Sequence, residues 1–513
     1  MAQKFLSVIS RHLVLLITVV LCTGLFLSFE APEAAWSADK KKVTAKKTKK
    51  VPSKNTVRAK NKSQASKAKP KARAKTQAVD PEKLPFPENV KLLAGSGAVL
   101  ITDHHVGQNQ SRELFSLNPD KTYVPASILK LVTSGAALDA LGYGYRFRTD
   151  FYVDRDRNLW VVGRGDPFMV SEELCLVMDR LKKTGLSQVK DIYLDSSFFE
   201  PGIILDGNNF TINPYDAYNL AFGVNFNTVN YLIDQKGQIV ECDPCSPLTP
   251  VALELAVQNR PKKRKKQRYP REFRLNISAS PQQAEKNAGQ MVKILLEKFL
   301  IPVSGEVILG KTLPKDVKLI YTHLSSRTLE DMIRELLKHS NNFVTNQIFL
   351  TMGAEKYGTP ATTQKSQKVM ADFLAKYRLP GIAMVEGSGL SRQNQITARQ
   401  MARVLGTLEP VRHLINSSDD GSVIYKTGTM SDIQTLAGYL VRPDRIDEPL
   451  SFVILLNGHY RPGTRDKILN ALKAQFIGEP GKQVERKVNS SVNLPRSVPP
   501  DQAGMFSPSE AAL

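Results

Sequence analysis

Val124–Gly142 reads VPASILKLVTSGAALDALG. Ile128, Leu131, Val132, Ala136, Leu138 and Leu141 recur at helical spacing, so the stretch predicts a helix that buries an apolar face. Pro125 suits its first turn and Gly142 the position just past its end. Lys130 interrupts the pattern, standing three residues after Ser127 and between Leu129 and Leu131. Residues three apart on a helix share a face, which would put hydroxyl and amine side by side. A serine hydroxyl is a weak nucleophile until a base takes its proton. A lysine amine becomes that base only where burial disfavours its charged form, and apolar neighbours supply such burial. The chain has seven His, none in a Ser-His-Asp context.

Outward from this helix, GAVLITD (97–103) and ELFSLN (113–118) predict a hairpin before it. Far downstream, SVIYKTGTM, TLAGYLVRP and LSFVILLNG predict three strands, and GTRDKILNALKAQFIG predicts a closing helix. Two strands in front and three behind would make one antiparallel five-stranded sheet flanked by helices on both faces. Between them, residues 146–315 mix strands and helices and read as inserted α+β material. TLEDMIRELLKHSNNFVTNQIFLTMG reads as helix, polar break, helix. The expected division is 85–145 plus 316–480 for a discontinuous main domain and 146–315 for the insertion.

The net charge of +22 suggests a nucleic-acid footprint until its distribution is read. Residues 39–75 hold sixteen Lys/Arg against one Asp, and RPKKRKKQR (260–268) adds seven more. These two stretches supply the whole excess, so the folded body is neutral and no specific nucleic acid is expected. Residues 38–84 are Lys-, Ala-, Ser- and Thr-rich and read as a disordered linker that could touch anionic envelope polymers or lipid head groups. Residues 1–37 carry an apolar run, LVLLITVVLCTGLFLSF (13–29), behind Lys4 and Arg11, with small residues after it. That is the layout of a cleaved secretory signal, or else of a retained anchor, and it predicts export to the bacterial envelope. The Ser/Pro-rich stretch 481–513 reads as a disordered tail. CDPC (242–245) would close a small disulfide in an exported chain; three thiols without a nearby His make a poor zinc site. The adjacent His104 and His105 sit on a hairpin and read as solvated.

Ser-x-x-Lys alone is weak evidence, since it also occurs at Ser66–Lys69 and Ser187–Lys190. Context selects among such copies. Ser127–Lys130 begins a helix, Ser340–Asn342 breaks two helices and Lys426–Gly428 lies on a strand. So placed, SILK, SNN and KTG resemble the active-site-serine penicillin-recognising enzymes. GRGDP (163–167), LDSSFF (194–199), EGSGLSR (386–392) and YKTGTM followed by LAGYL narrow the likeness. They resemble the low-molecular-mass class C penicillin-binding proteins, D-alanyl-D-alanine carboxypeptidases/endopeptidases with inserted domains between the first two motifs. The 213 residues from Ser127 to Ser340 leave room for such an insertion. Three features depart from the family pattern: Glu386 stands where the family usually has Asp, the insertion is somewhat short, and the long basic tether and the RPKKRKKQR loop are not part of it.

The resemblance implies a penicillin-binding-protein/β-lactamase-like α+β catalytic domain with no metal and no cofactor. Its substrates would be peptidoglycan stem peptides and its inhibitors β-lactams. It also implies roles: Ser127 as nucleophile, Lys130 as base, Ser340 as proton relay, Asn342 as amide-binding and Lys-positioning group, and Lys426 as local positive charge. Thr427, Gly428 and Thr429 would line the substrate strand. The other readings are a β-lactamase or transpeptidase on the same fold, and a non-catalytic basic envelope-binding protein.

Overall fold

The computed structural model describes residues 80–478 apart from 108–109, 262–269, 278–279 and 380. The leader (1–37), nearly all of the linker (38–84), all but two residues of the 260–268 stretch and the tail (481–513) lie outside the described residues. At the linker's end, Pro81–Lys83 forms a 3-10 turn capped by Asp80.

Helix α1 (Glu88–Ala94) leads into the hairpin β1 (Ala98–Asp103) and β2 (Arg112–Leu117). A 3-10 turn, Ala126–Ile128, then runs into α2 (Leu129–Leu141). The next segment holds β3 (Arg148–Val153), β4 (Leu159–Gly163), α3 (Ser171–Lys183) and β5 (Ile192–Asp195). After them come β6 (Thr228–Ile233), β7 (Ile239–Glu241), α4 (Pro250–Gln258), β8 (Arg271–Asn276), α5 (Pro281–Lys298), β9 (Val307–Ile308) and β10 (Lys318–Leu324). Four helices follow: α6 (Leu329–His339), α7 (Asn342–Tyr357), α8 (Thr363–Lys376) and α9 (Ala398–Leu408). The strands β11 (Val423–Met430), β12 (Ile433–Arg442) and β13 (Arg445–Asn457), then α10 (Thr464–Phe476), complete the order.

The main sheet is five-stranded in the order β11-β12-β13-β1-β2, antiparallel throughout. The two strands in front of the insertion and the three behind it do join, through β1 against β13. Strand alternation divides their side chains between two cores. Ala98, Leu100, Ala437, Tyr439, Val453 and Leu455 face the helices α2 and α6–α9. Val99, Ile101, Leu436, Phe452, Ile454 and Leu456 face α1 and α10.

The inserted material builds a mixed five-stranded sheet, β9-β5-β4-β3-β10, and a small antiparallel one, β7-β6-β8. β10 corrects the expected boundary at 315/316. It pairs with β3 from Lys318 to Leu324 and so belongs to the inserted sheet. A short alternating strand carries the same pattern whichever sheet it joins, so the boundary is set by pairing rather than by local sequence.

The cysteines are also corrected. Cys245 bonds Cys175 on α3, 70 residues away, and Cys242 is an exposed free thiol. The turn that holds Cys245, with Asp243 Oδ1 accepting from its N–H, presents it to the helix rather than to its near neighbour. Of the His pair, His105 is exposed as expected, with its Nε2 3.1 Å from Glu409, whereas His104 is half-buried, with its Nε2 2.8 Å from Ser451 Oγ. Among the described residues no helix is long and apolar enough to cross a membrane.

Candidate active site

Helix α2 is buried nearly all round, Leu129 to Leu138 without a break, because α6, α7, α8 and α9 surround it. A lysine in its first turn therefore has no route to water, and Lys130 is 0 % exposed. Ser127 does not lie in the regular helix, as the periodicity predicts, but in the 3-10 turn before it. Ala126 has φ +50°, a left-handed conformation that a non-glycine residue adopts at a cost. The turn still brings Ser127 Oγ to 3.1 Å from Lys130 Nζ.

The polar break expected at Ser340–Asn342 is built from two caps. Ser340 ends α6 in the left-handed conformation, and Asn341 starts α7 by accepting from Val344 N–H at 3.1 Å. The reversal sends Ser340 Oγ to Lys426 Nζ (2.9 Å) and Asn342 Oδ1 to Lys130 Nζ (2.8 Å). Asn342 Nδ2 faces the carbonyl of Tyr215 at 3.3 Å, which fixes the amide's orientation.

Lys426 lies on β11, an edge strand, and is nearly sealed. Tyr425 N–H donates outward to Asn416, which covers the start of that edge. Strand alternation turns the backbone groups of Thr427 and Thr429 the same way, past the point where Asn416 covers the edge. Gly428 passes so near the Ser127 turn that a Cβ there would lie 3.0 Å from Ser127 N and 2.2 Å from Thr435 Oγ1. All the expected site residues thus meet: Ser127, Lys130, Ser340, Asn342, Lys426, Thr427, Gly428 and Thr429.

Three residues given no role by the sequence reading also contribute. Ser388 offers its carbonyl to Lys130 Nζ at 2.6 Å. Glu386, fully buried, organises the loop that carries Ser388. Arg465, on α10, reaches Thr429 Oγ1 at 3.4 Å. The insertion borders the site too, since Asp206 accepts from Ser391 and the Ile203–Tyr218 segment lines a recess with Asn342 and Leu390. A cavity of about 390 Å³ shares Ile203 and Asn219 with that recess.

Both lysines are easier to deprotonate than usual. Burial, and after it the charge of Lys426, holds Lys130 down at about 7, against an upward pull from Glu386. Burial, then Arg465, brings Lys426 down to about 8. Lys130 therefore gives up its proton more readily than Lys426 does.

Sequence comparison matches residues 93–253 and 270–410 to the D-Ala-D-Ala carboxypeptidase 3 (S13) family. The chain belongs to that family of serine-type carboxypeptidases, the low-molecular-mass class C penicillin-binding proteins. The D-alanyl-D-alanine carboxypeptidase DacB of Haemophilus influenzae is 25% identical over 424 residues, 72% of this chain and 87% of that one. A D-alanyl-D-alanine carboxypeptidase of an Actinomadura species is 25% identical over 472 residues, 79% of this chain and 86% of the relative. The crystal structure of penicillin-binding protein 4 from Haemophilus influenzae superposes with a TM-score of 0.63 at 20% identity, covering 77% of this chain and all of that one. The family match ends at residue 410, short of Lys426–Thr429, so the geometry itself ties that strand to the site.

Proposed function

We propose that the chain cleaves the bond between two D-alanines at the end of a peptidoglycan stem peptide, with Ser127 as nucleophile and Lys130 as its base. The observation that carries this reading is the hydrogen-bonding position of Lys130. A neutral amine has two hydrogens and one lone pair. Ser388 C=O and Asn342 Oδ1 can only accept, so they take the two hydrogens. The lone pair is left for the Ser127 hydroxyl.

In this reading Ser127 Oγ attacks the carbonyl carbon of the penultimate D-alanine while its proton passes to Lys130. The outward N–H of Thr429 and the N–H of Ser127 receive the developing oxyanion. Each such donor is worth about 3–4 kcal/mol. The peptide lies as an added strand along the edge from Lys426 to Thr429. Ser340, beside charged Lys426, relays to the leaving amine the proton that Lys130 took from Ser127, which returns Lys130 to its neutral form. Thr427 and Thr429 hold the terminal carboxylate, with the charge of Lys426 nearby. Water then hydrolyses the acyl-enzyme, and a β-lactam that acylates the same serine would be released slowly.

The test is to treat the full chain with a fluorescent penicillin and map the adduct by mass spectrometry. The adduct is expected on Ser127 and absent from Ser127→Ala; an adduct elsewhere, or none, rejects the reading. We also propose that the chain acts in the cell envelope, exported through its leader, with the basic stretch 38–80 holding it near anionic polymer. Washing envelope fractions with high salt should release it, and retention would reject the electrostatic part.

A further inference from the structure

The motif EGSGLSR contributes one more buried ion, Glu386, that the steps above do not use. Its two carboxylate oxygens receive six hydrogen bonds. Oε2 accepts from Asn346 Nδ2 (3.0 Å), Ser388 N–H (2.7 Å) and Ser388 Oγ (2.6 Å). Oε1 accepts from Gly389 N–H (2.7 Å), Asn394 Nδ2 (2.8 Å) and Ser391 N–H (3.3 Å). Donors on all sides suit an anion that has no proton of its own to give.

The decisive link is a single peptide unit. Its N–H, on Gly389, points at Glu386, and its C=O, on Ser388, points at Lys130 Nζ. A hydrogen bond to a charged acceptor polarises the peptide and strengthens its carbonyl as an acceptor. The loop cannot drift, because Thr133 Oγ1 on α2 donates to Gly387 C=O at 2.6 Å. A Cβ on Gly389, where φ is +83°, would lie 2.0 Å from Ala126 O.

We propose that Glu386 is a positioning residue for the Ser127–Lys130 pair. Through the Ser388–Gly389 peptide it occupies one N–H of Lys130, aims the lone pair at the serine and raises the amine's affinity for a proton. This rests on Lys130 being the base. The charged groups acting on Lys130 are Lys426 from β11 and Glu386 from the loop, with opposite effects. The elements α2 and α7 and the Ser127 turn add only neutral partners.

The experiment is the pH dependence of penicillin acylation for the full chain, Glu386→Gln and Glu386→Asp, with thermal melts alongside. Gln removes the charge, so the rising limb should move to lower pH by about one unit. Asp draws the charge back by one methylene, so the limb should move the same way by less. Limbs that coincide with wild type, however far the plateau drops, would mean a purely structural role and overturn the proposal. If the Gln variant does not fold, the Asp variant decides by the same criterion. A wild-type rate with no rising limb removes Lys130 as base, and this inference with it. A wild-type rise with unmoved variants removes only the inference.

Discussion

Two serine–lysine pairs meet in this cleft, and they are built differently. Ser127 and Lys130 are neighbours on one turn, whereas Ser340 and Lys426 are 86 residues apart and joined only by the fold. Both amines are buried and both lose protons more easily than usual. Their remaining partners set them apart. Lys130 is held by two groups that can only accept, which frees its lone pair for a hydroxyl. Lys426 donates to Thr427 C=O and Ser340 Oγ on the edge strand of the sheet, with Arg465 close by. The first pair suits a base, the second a fixed charge beside a relay. Burial alone does not separate these roles; the chemistry of the other hydrogen-bond partners does.

The contrast can be broken most forcefully by exchanging the losses. Lys130→Ala should cut penicillin acylation by roughly 10³–10⁴-fold, and Lys426→Ala by roughly 10²-fold, in stopped-flow measurements. A larger loss for Lys426→Ala would reverse the roles. Gly389→Ala pushes the loop off the Ser127 turn, and displacement of a reacting group on that scale costs about 10²-fold. Wild-type acylation with an intact melt in that variant would show that the loop contact does not position the pair. Arg465→Ala should weaken turnover of a peptide with a free terminal carboxylate by about ten-fold. It should also shift the falling limb of the pH profile upward, because Arg465 lowers the pKa of Lys426. A falling limb that stays put would uncouple the two cations. The smallest effect on chemistry is expected from Cys175→Ser. It opens a loop of 70 residues in the insertion, costing about 2–4 kcal/mol in urea unfolding while acylation persists. Loss of acylation would tie the insertion to the cleft more tightly than its packing suggests.

Much of this was legible in the sequence, for physical reasons. The main sheet was readable because its inner strands are unbroken apolar runs, as two covered faces require. The Ser127–Lys130 pair was readable because three residues of separation fix proximity whether the turn is 3-10 or α. Asn341 and Ser340 announced a helix break by composition. What stayed hidden depends on long-range pairing. Ser388 meets Lys130 across 258 residues, and no local pattern encodes a backbone carbonyl's target. Arg465 reads as an ordinary charge in the first turn of a helix until α10 packs beside β12. Cys245 had a nearer partner in sequence than the one it bonds. His104 looked like a hairpin residue, yet Ser451 on the neighbouring strand is its partner.

The most direct test of the central claim is the rate at which penicillin acylates Ser127 as a function of pH. In the proposed roles Lys130 acts when neutral, so the rate should climb as pH rises through about 7. Lys426 acts when charged, so it should fall again above about 8, and these limbs belong to the coupled pair. A narrow bell between those limits, with its rising limb lost in Lys130→Ala, is the predicted result. A rate that stays level from about pH 5 to about pH 9 would contradict a lysine base and require another group to take the serine proton.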